Sequence, residues 1–145
     1  MASGDRVDPY AQFSFVIKID GIDVGAFTEV DGLDAESEVI EYRTGSEEHR
    51  MRKLPGLMQY SNITLKRGIT DNDELWQWRK STLDGETERR NGAIVLRNEV
   101  GEAVLTWKFR EGWVVKYEGP ALDASSSEVA VETVEICHEG LEFGD

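Results

Sequence analysis

Residues 10–45 read YAQFSFVIKIDGIDVGAFTEVDGLDAESEVIEYRTG, and this stretch decides the fold. Within it, apolar and polar side chains alternate over residues 13–19, which predicts a strand with one buried face. An Asp-Gly hairpin signal follows, so residues 24–30 are expected to pair back onto the first strand. A second Asp-Gly turn leads into residues 36–43, a third strand of mixed polarity. Short strands joined by glycine turns predict a mainly β protein.

Further strands are predicted on the far side of one helix. The helix covers residues 71–83, with Asp71 as N-cap and Glu74 three residues later, as in a capping box. Leu75 and Trp78 lie on its apolar stripe, which predicts packing on a sheet. The remaining strands are predicted over residues 62–67, 93–97, 103–109, 113–118 and 128–138.

Two irregularities are expected in the later strands. Glu111-Gly112 predicts a tight turn between strands 103–109 and 113–118. In the last strand, Val129 and Val131 fall on the face opposite to the next two apolar residues, which predicts a bulge near Thr133 or burial of both faces. The pattern as a whole predicts an antiparallel β-sandwich or β-barrel with one flanking α-helix.

The length and composition favour one domain. A chain of 145 residues with 39% hydrophobic residues can bury a core without disulfides. We expect residues 1–9 to be a flexible start and residues 10–145 to form the domain. Cys137 is the only cysteine, so no intramolecular disulfide can form. Neither a signal peptide nor a membrane-spanning run is evident, so we expect synthesis in the cytoplasm and no direct membrane anchor.

The formal net charge of −13 restricts the partners. It disfavours a protein that grips nucleic acid or an anionic membrane, because both need clustered Lys and Arg. It also opposes self-association, so copies of the chain can assemble only through apolar contacts, strand pairing or local charge complementarity.

No catalytic, metal or cofactor site is predicted. The two histidines, His49 and His138, lack Cys, His or acidic partners at metal-ligand spacing. No nucleophile or phosphate-loop motif is present. Trp76 and Trp78 could form a platform for a sugar or a base, but helix packing on a sheet explains them better.

Residues 44–58 show no clean period and contain Gly45, Pro55 and Gly56, which predicts a long loop or extended arm. An acidic stretch over residues 31–48 precedes a basic cluster. Either these charges pair locally, or the basic tip reaches an acidic surface on a neighbouring copy. The second hypothesis assigns contacts between subunits or rings to Glu47, Glu48, His49, Arg50, Met51, Arg52, Lys53 and Leu54.

Strands 36–43 and 62–67 each have one strongly polar face. This face either meets bulk solvent or lines a water-filled lumen, enclosed by a sheet that continues from subunit to subunit. The lumen hypothesis assigns Glu36, Glu38, Asn62, Thr64 and Lys66 to the interior.

Several motifs resemble those of the inner tube proteins of contractile phage tails and related injection systems. They occur in the family's order from about Tyr10 to Glu139. The motifs are Val30, Gly32 and Leu33, then EVIEYR at residues 38–43, Lys53 with Pro55 and Gly56, ITLKRG at residues 63–68, LWQW at residues 75–78, and PALDAS with EVA between residues 120 and 130.

The resemblance implies a β-sandwich whose copies form rings of six, stacked into a tube with a hydrophilic lumen for protein or DNA cargo. It also implies a contractile sheath, a baseplate or spike and a tail terminator as partners, and no catalytic residues. The hexameric ring protein of type VI secretion is an alternative, as is a monomeric small-ligand-binding β-barrel. A β-sandwich hydrolase is disfavoured because no triad or metal set is present.

Overall fold

The structure is a computed structural model of the chain and describes residues 14–43, 45, 50–122, 124–125 and 130–144. These residues form ten strands and one helix, which confirms the predicted mainly β class with a single helix. The elements are β1 (Ser14–Ile19), β2 (Ile22–Phe27), β3 (Glu29–Asp31), β4 (Ala35–Tyr42), β5 (Arg52–Tyr60), β6 (Ile63–Gly68), α1 (Glu74–Leu83), β7 (Arg90–Arg97), β8 (Ala103–Glu118), β9 (Val131–Cys137) and β10 (Gly140–Phe143).

Eight of the strands form one antiparallel sheet that folds back on itself. The strand order is β2-β1-β7-β8-β9-β6-β3, with β10 also paired to β8. The two ends of this order, β2 and β3, are consecutive in the chain and are separated only by Thr28. The amide of Thr28 donates to the Lys66 carbonyl at 2.9 Å. The sheet is therefore a closed sandwich, and we call it the body.

β8 is one long strand, so the predicted tight turn at Glu111-Gly112 is wrong. Its first part pairs with β7 and β10, and its last part pairs with β9. Glu111 has a φ of 54°, and its amide donates to the side chain of Asn91 at 3.1 Å. The two residues thus bend the strand from one layer to the other, because a side chain replaces the ladder partner at the bend.

β9 alternates regularly, so the predicted bulge near Thr133 is also wrong. Glu132, Val134 and Ile136 are buried in turn, and the register shift lies in β8, between Val114 and Lys116. The apparent slip in the sequence arises because the charged side chain of Glu132 occupies a core position. Val129 lies outside the described residues.

Glu132 belongs to a buried polar network that crosses the core. The guanidinium of Arg67 donates to Glu132 and to the carbonyls of Val24 and Asn72, the latter two at 3.4 and 3.3 Å. The hydroxyl of Tyr117 also donates to Glu132. Burial, followed by this hydrogen bond, raises the pKa of Tyr117 to about 12. The network joins β2, β6, β8 and β9 and satisfies charges that would otherwise be costly to bury.

The helix begins at Glu74, three residues later than predicted, and the capping box is not formed. Asp73 is the N-cap without a side-chain cap hydrogen bond, and the amide of Glu74 donates to the side chain of Asn72 at 3.0 Å. Asn72 is itself bound to the body through Val24 and Arg67, so the preceding segment is not free to join the helix. The buried Leu75 and Trp78 pack the helix on the body.

Candidate assembly surface

β4 and β5 form a two-stranded hairpin that is separate from the body, and we call residues 35–60 the arm. Residues 52–58 lie in β5, so the prediction of a loop is wrong for that part of residues 44–58. Pro55 and Gly56 suggested a loop. They are accommodated because β5 pairs only with β4 among the described residues and because the register shifts near Pro55, which is the setting in which strands tolerate proline.

The arm continues the β3–β6 pair outward from the body. At its root Gly32 has a φ of +91°, and a Cβ at this position would lie 2.0 Å from the carbonyl oxygen of Asn62. Only glycine permits both features. On the other strand, the ring of Tyr60 packs at 5.6 Å from that of His138. The Nε2 of His138 lies 3.1 Å from the Ser61 carbonyl oxygen, and its Nδ1 lies 3.1 and 3.2 Å from the carbonyl oxygen and the amide nitrogen of Gly140. The arm therefore leaves the body at a defined point.

The described residues of the arm make few contacts with the body beyond this root. Every residue of β4 is exposed, and in β5 only Gly56 and Tyr60 are half-buried. Neither strand has a second strand partner among the described residues. A lone two-stranded hairpin is marginally stable in water. The exposed apolar side chains of the arm are Val39, Ile40, Tyr42, Met51, Leu54, Leu57 and Met58.

The basic end of the arm lies away from the root. Arg52 and Lys53 begin β5, opposite Tyr42 and Glu41 respectively. Tyr42 and residues 50–54 line a shallow depression of about 320 Å³. The structure thus brings together Arg50, Met51, Arg52, Lys53 and Leu54 of the predicted contact set. The other three members, Glu47, Glu48 and His49, lie outside the described residues.

The predicted lumen residues fall on two separate elements. Glu36 and Glu38 lie on the arm, on the same face as Ile40 and Leu54. A Cβ on Gly56 would contact Glu38 and Ile40, which places it on this face as well. The face that carries the predicted lumen acids of β4 therefore also carries the predicted contact residue Leu54.

The other three predicted lumen residues lie on the body, on the side of β6 that points away from the core. Asn62, Thr64 and Lys66 alternate there with the buried Ile63, Leu65 and Arg67. Asn62 donates to Glu135 at 3.0 Å, and the ammonium of Lys66 lies 3.9 Å from the carboxylate of Glu29.

These side chains belong to a larger polar sheet face that sequence reasoning only partly found. Its other members come from β3, β8 and β9 and are Glu29, Asp31, Lys116, Glu118, Thr133 and Glu135. Lys116 and Glu118 form an exposed ion pair at 2.7 Å, which raises the pKa of the lysine and lowers that of the glutamate. Strict alternation in β9 would have predicted Thr133 and Glu135, had Glu132 been assigned to the core.

Within the part of the chain that the structure describes, no group of three or more His, Cys, Asp or Glu side chains could hold a metal ion. In the same residues, no helix has the length and apolar character needed to cross a membrane.

Similar structures come from contractile injection systems. A chain of the PVC sheath–tube complex in the extended state is 28% identical, with a TM-score of 0.80 over 94% of this chain and 91% of that one. A chain of the anti-feeding prophage tube-terminating cap is 27% identical, with a TM-score of 0.81 over 96% and 93%. Hcp1 from Flavobacterium johnsoniae, at 18% identity and a TM-score of 0.55 over 90% and 94%, shares the fold. No curated protein sequence matches the chain significantly.

The family comparison agrees with the structural one. The model of the T4-like virus tail tube protein gp19 family matches residues 11–142, which include the arm, the polar sheet face and the helix. The resemblance of the motifs to contractile tail tube proteins is thereby confirmed, and the chain belongs to the T4-like virus tail tube protein gp19 family.

Proposed function

We propose that this tail tube protein has a purely structural role, in which six copies form a ring and rings stack into a tube. The observation that carries the proposal is the arm, a hairpin whose outer edges have no strand partner among the described residues and whose apolar side chains are exposed. Such a hairpin gains stability only when its edges or faces are covered by another chain. A neighbouring copy, in the same ring or the next, supplies that cover.

The charge pattern of the arm supports a second copy as the partner. β4 carries Glu36, Glu38 and Glu41, whereas the start of β5 carries Arg52 and Lys53. Contact between the acidic strand of one arm and the basic end of another offsets part of the repulsion between chains of net charge −13. Such complementarity sets the register of the contact more than its affinity.

The polar sheet face of the body is the proposed lining of the lumen. It combines two lysines with four acidic residues, so it is hydrophilic and net negative. A surface of this kind repels DNA phosphates and offers no apolar patch to protein cargo. Glu36 and Glu38 reach the lumen only where the arm extends the same sheet.

The proposed partners follow from the relatives. Similarity to chains of a sheath–tube complex, a tube-terminating cap and a baseplate supports a contractile sheath, a terminator and a baseplate as partners. Assembly with them takes place in a phage tail or injection particle. Protein or DNA cargo in the lumen is the finer part of the proposal.

Charge reversal at the basic end of the arm tests the role of the arm. We expect Arg50→Glu/Lys53→Glu to abolish tubes in negative-stain electron microscopy while the thermal unfolding curve stays that of the parent. Lys80→Glu/Arg89→Glu is the matched control, since it reverses two exposed cations outside the arm and has the same net charge. Normal tubes from the arm variant, or equal loss in both variants, would refute the role of the arm.

A further inference from the structure

The turn between β7 and β8 exposes one large apolar side chain, that of Val100. We call residues 99–102 of this turn the tip. The side chain of Asn98 accepts from the amides of Val100 and Glu102 at 3.1 and 3.0 Å, and its carbonyl accepts from Gly101 at 3.0 Å. Val100 is nevertheless 76% exposed. The tip also carries two exposed acids, Glu99 and Glu102. An exposed valine between two acidic residues, in a turn fixed by three hydrogen bonds, is unusual, because polar residues and glycine dominate tight turns.

A groove of about 410 Å³ lies at the opposite end of the same strand pair. Ala93 of β7 is directly opposite Lys18 of β1 and Lys108 of β8, so its small side chain leaves a depression between two lysines. The rest of the lining is largely apolar or glycine, with Arg110, Asp20 and Glu142 as further charged residues. The apolar and glycine lining residues are Gly21, Tyr60, Gly92, Phe109, Gly140 and Leu141.

The tip and the groove are arranged for head-to-tail contact. They are separated by about six residues along β7, or about 20 Å at the usual rise per strand residue. Because they face opposite ends of one strand pair, a single chain cannot join them. A second copy translated along the strand direction can, and such a contact does not close on itself, so it propagates into a filament.

We propose that the Val100 turn of one copy binds in the groove of the next copy along the tube. The inference rests on the proposed function and specifies its contact between rings. The side chain of Val100 packs on the small side chain of Ala93 in the groove. The carboxylates of Glu99 and Glu102 approach the cationic side chains of Lys18, Lys108 and Arg110. The groove has three cations against two acids, so its charge complements that of the acidic tip.

Cysteine trapping tests the contact directly. In a Cys137→Ser background, Val100→Cys/Ala93→Cys should give covalent ladders longer than dimers under mild oxidation, because each chain has one half of the contact at each end. Leu122→Cys/Ala93→Cys is the matched control, since Leu122 is another exposed apolar residue outside regular structure. We expect no ladder from it. If the Val100→Cys/Ala93→Cys variant formed tubes but no covalent ladder, this inference would be wrong while the proposed function would stand.

Charge exchange provides a second test that does not require a disulfide. Glu99→Lys/Glu102→Lys should give rings or short stacks in place of long tubes, and adding Lys18→Glu/Lys108→Glu should restore their length. Unchanged tube length in the first variant, or no restoration in the second, would contradict the contact. If the parent chain forms neither rings nor tubes, the proposed function fails, and this inference fails with it.

Discussion

The body and the arm of this molecule use similar apolar residues in opposite ways. Leu65 and Ile63 in the body are fully buried, whereas Leu57 in the arm is 73% exposed. The body closes its sheet and satisfies its buried charges within one chain. In the part of the chain that the structure describes, the arm has no strand partner at either outer edge and leaves several large side chains exposed. The body thus buries its apolar residues within one chain, whereas the proposed function assigns the cover of the arm to another copy.

Removal of one member of the buried network should give the largest loss of stability in the body. Arg67→Met leaves the buried carboxylate of Glu132 without its ion-pair partner, which costs about 3–5 kcal/mol of unfolding free energy. Chemical denaturation would measure it. Arg67→Met/Glu132→Leu should recover much of the lost unfolding free energy. An equal loss in both variants would show that the buried charge of Glu132 is not the cause of the destabilisation.

Matched leucine truncations compare the two regions directly. Leu65→Ala should lower the unfolding free energy by about 2–5 kcal/mol, because it leaves a cavity in the core. Leu57→Ala should change it by less than about 0.5 kcal/mol in the unassembled chain. The same Leu57→Ala should reduce the fraction of protein that sediments as tubes. A stability loss at Leu57 comparable to that at Leu65 would contradict the separation of arm from body.

The root of the arm should be sensitive to one methyl group. Gly32→Ala places a Cβ against the Asn62 carbonyl at a positive φ, so we expect a loss of about 1–3 kcal/mol and impaired assembly. Gly85→Ala is the control, because Gly85 has a similar φ of +84° but nothing within 4 Å of the added atom. Thermal unfolding and sedimentation of both variants would separate backbone strain from the close approach at the root.

The smallest expected effect is a pH dependence at Tyr117. Its pKa is about 12 in the folded chain and near 10 when unfolded, so folding retains a proton that the unfolded chain loses. Stability from this group is present below pH 10 and declines as the pH rises towards 12. Tyr117→Phe should flatten that part of the stability curve, as measured by urea denaturation at each pH. If the slope of stability against pH did not change in Tyr117→Phe, the Tyr117 hydroxyl would not be buried and hydrogen-bonded to Glu132 as described.

Periodicity predicted most of the body because its strands obey alternation. The exceptions have local causes. Glu132 is a charged residue in a core position, Glu111-Gly112 bends a strand that the sequence suggested would end, and β10 has only four residues. None of these can be recognised without the partners, Arg67, Asn91 and β8, that lie far away in the chain.

The arm was harder to predict because its strands have no buried face to give alternation. Pro55 and Gly56 suggested a loop, while the apolar residues of β4 and β5 face solvent in one copy. The contact role of the basic cluster stays a prediction; of its members, Arg50, Met51, Arg52, Lys53 and Leu54 lie within the described residues. The predicted lumen residues lie partly on the arm and partly on the body. A polar strand face gives the same alternation of polar residues in both regions, so the sequence could not separate them.

Hydrogen–deuterium exchange on the unassembled chain and on assembled tubes would measure whether a neighbour covers the arm. We predict fast exchange over residues 35–42 and 52–60 in the unassembled chain and strong protection of the same amides in tubes, with little change over β9. If the arm amides exchanged equally fast in both states, copies would not complete one another through this hairpin, and the proposed role of the arm in assembly would be refuted.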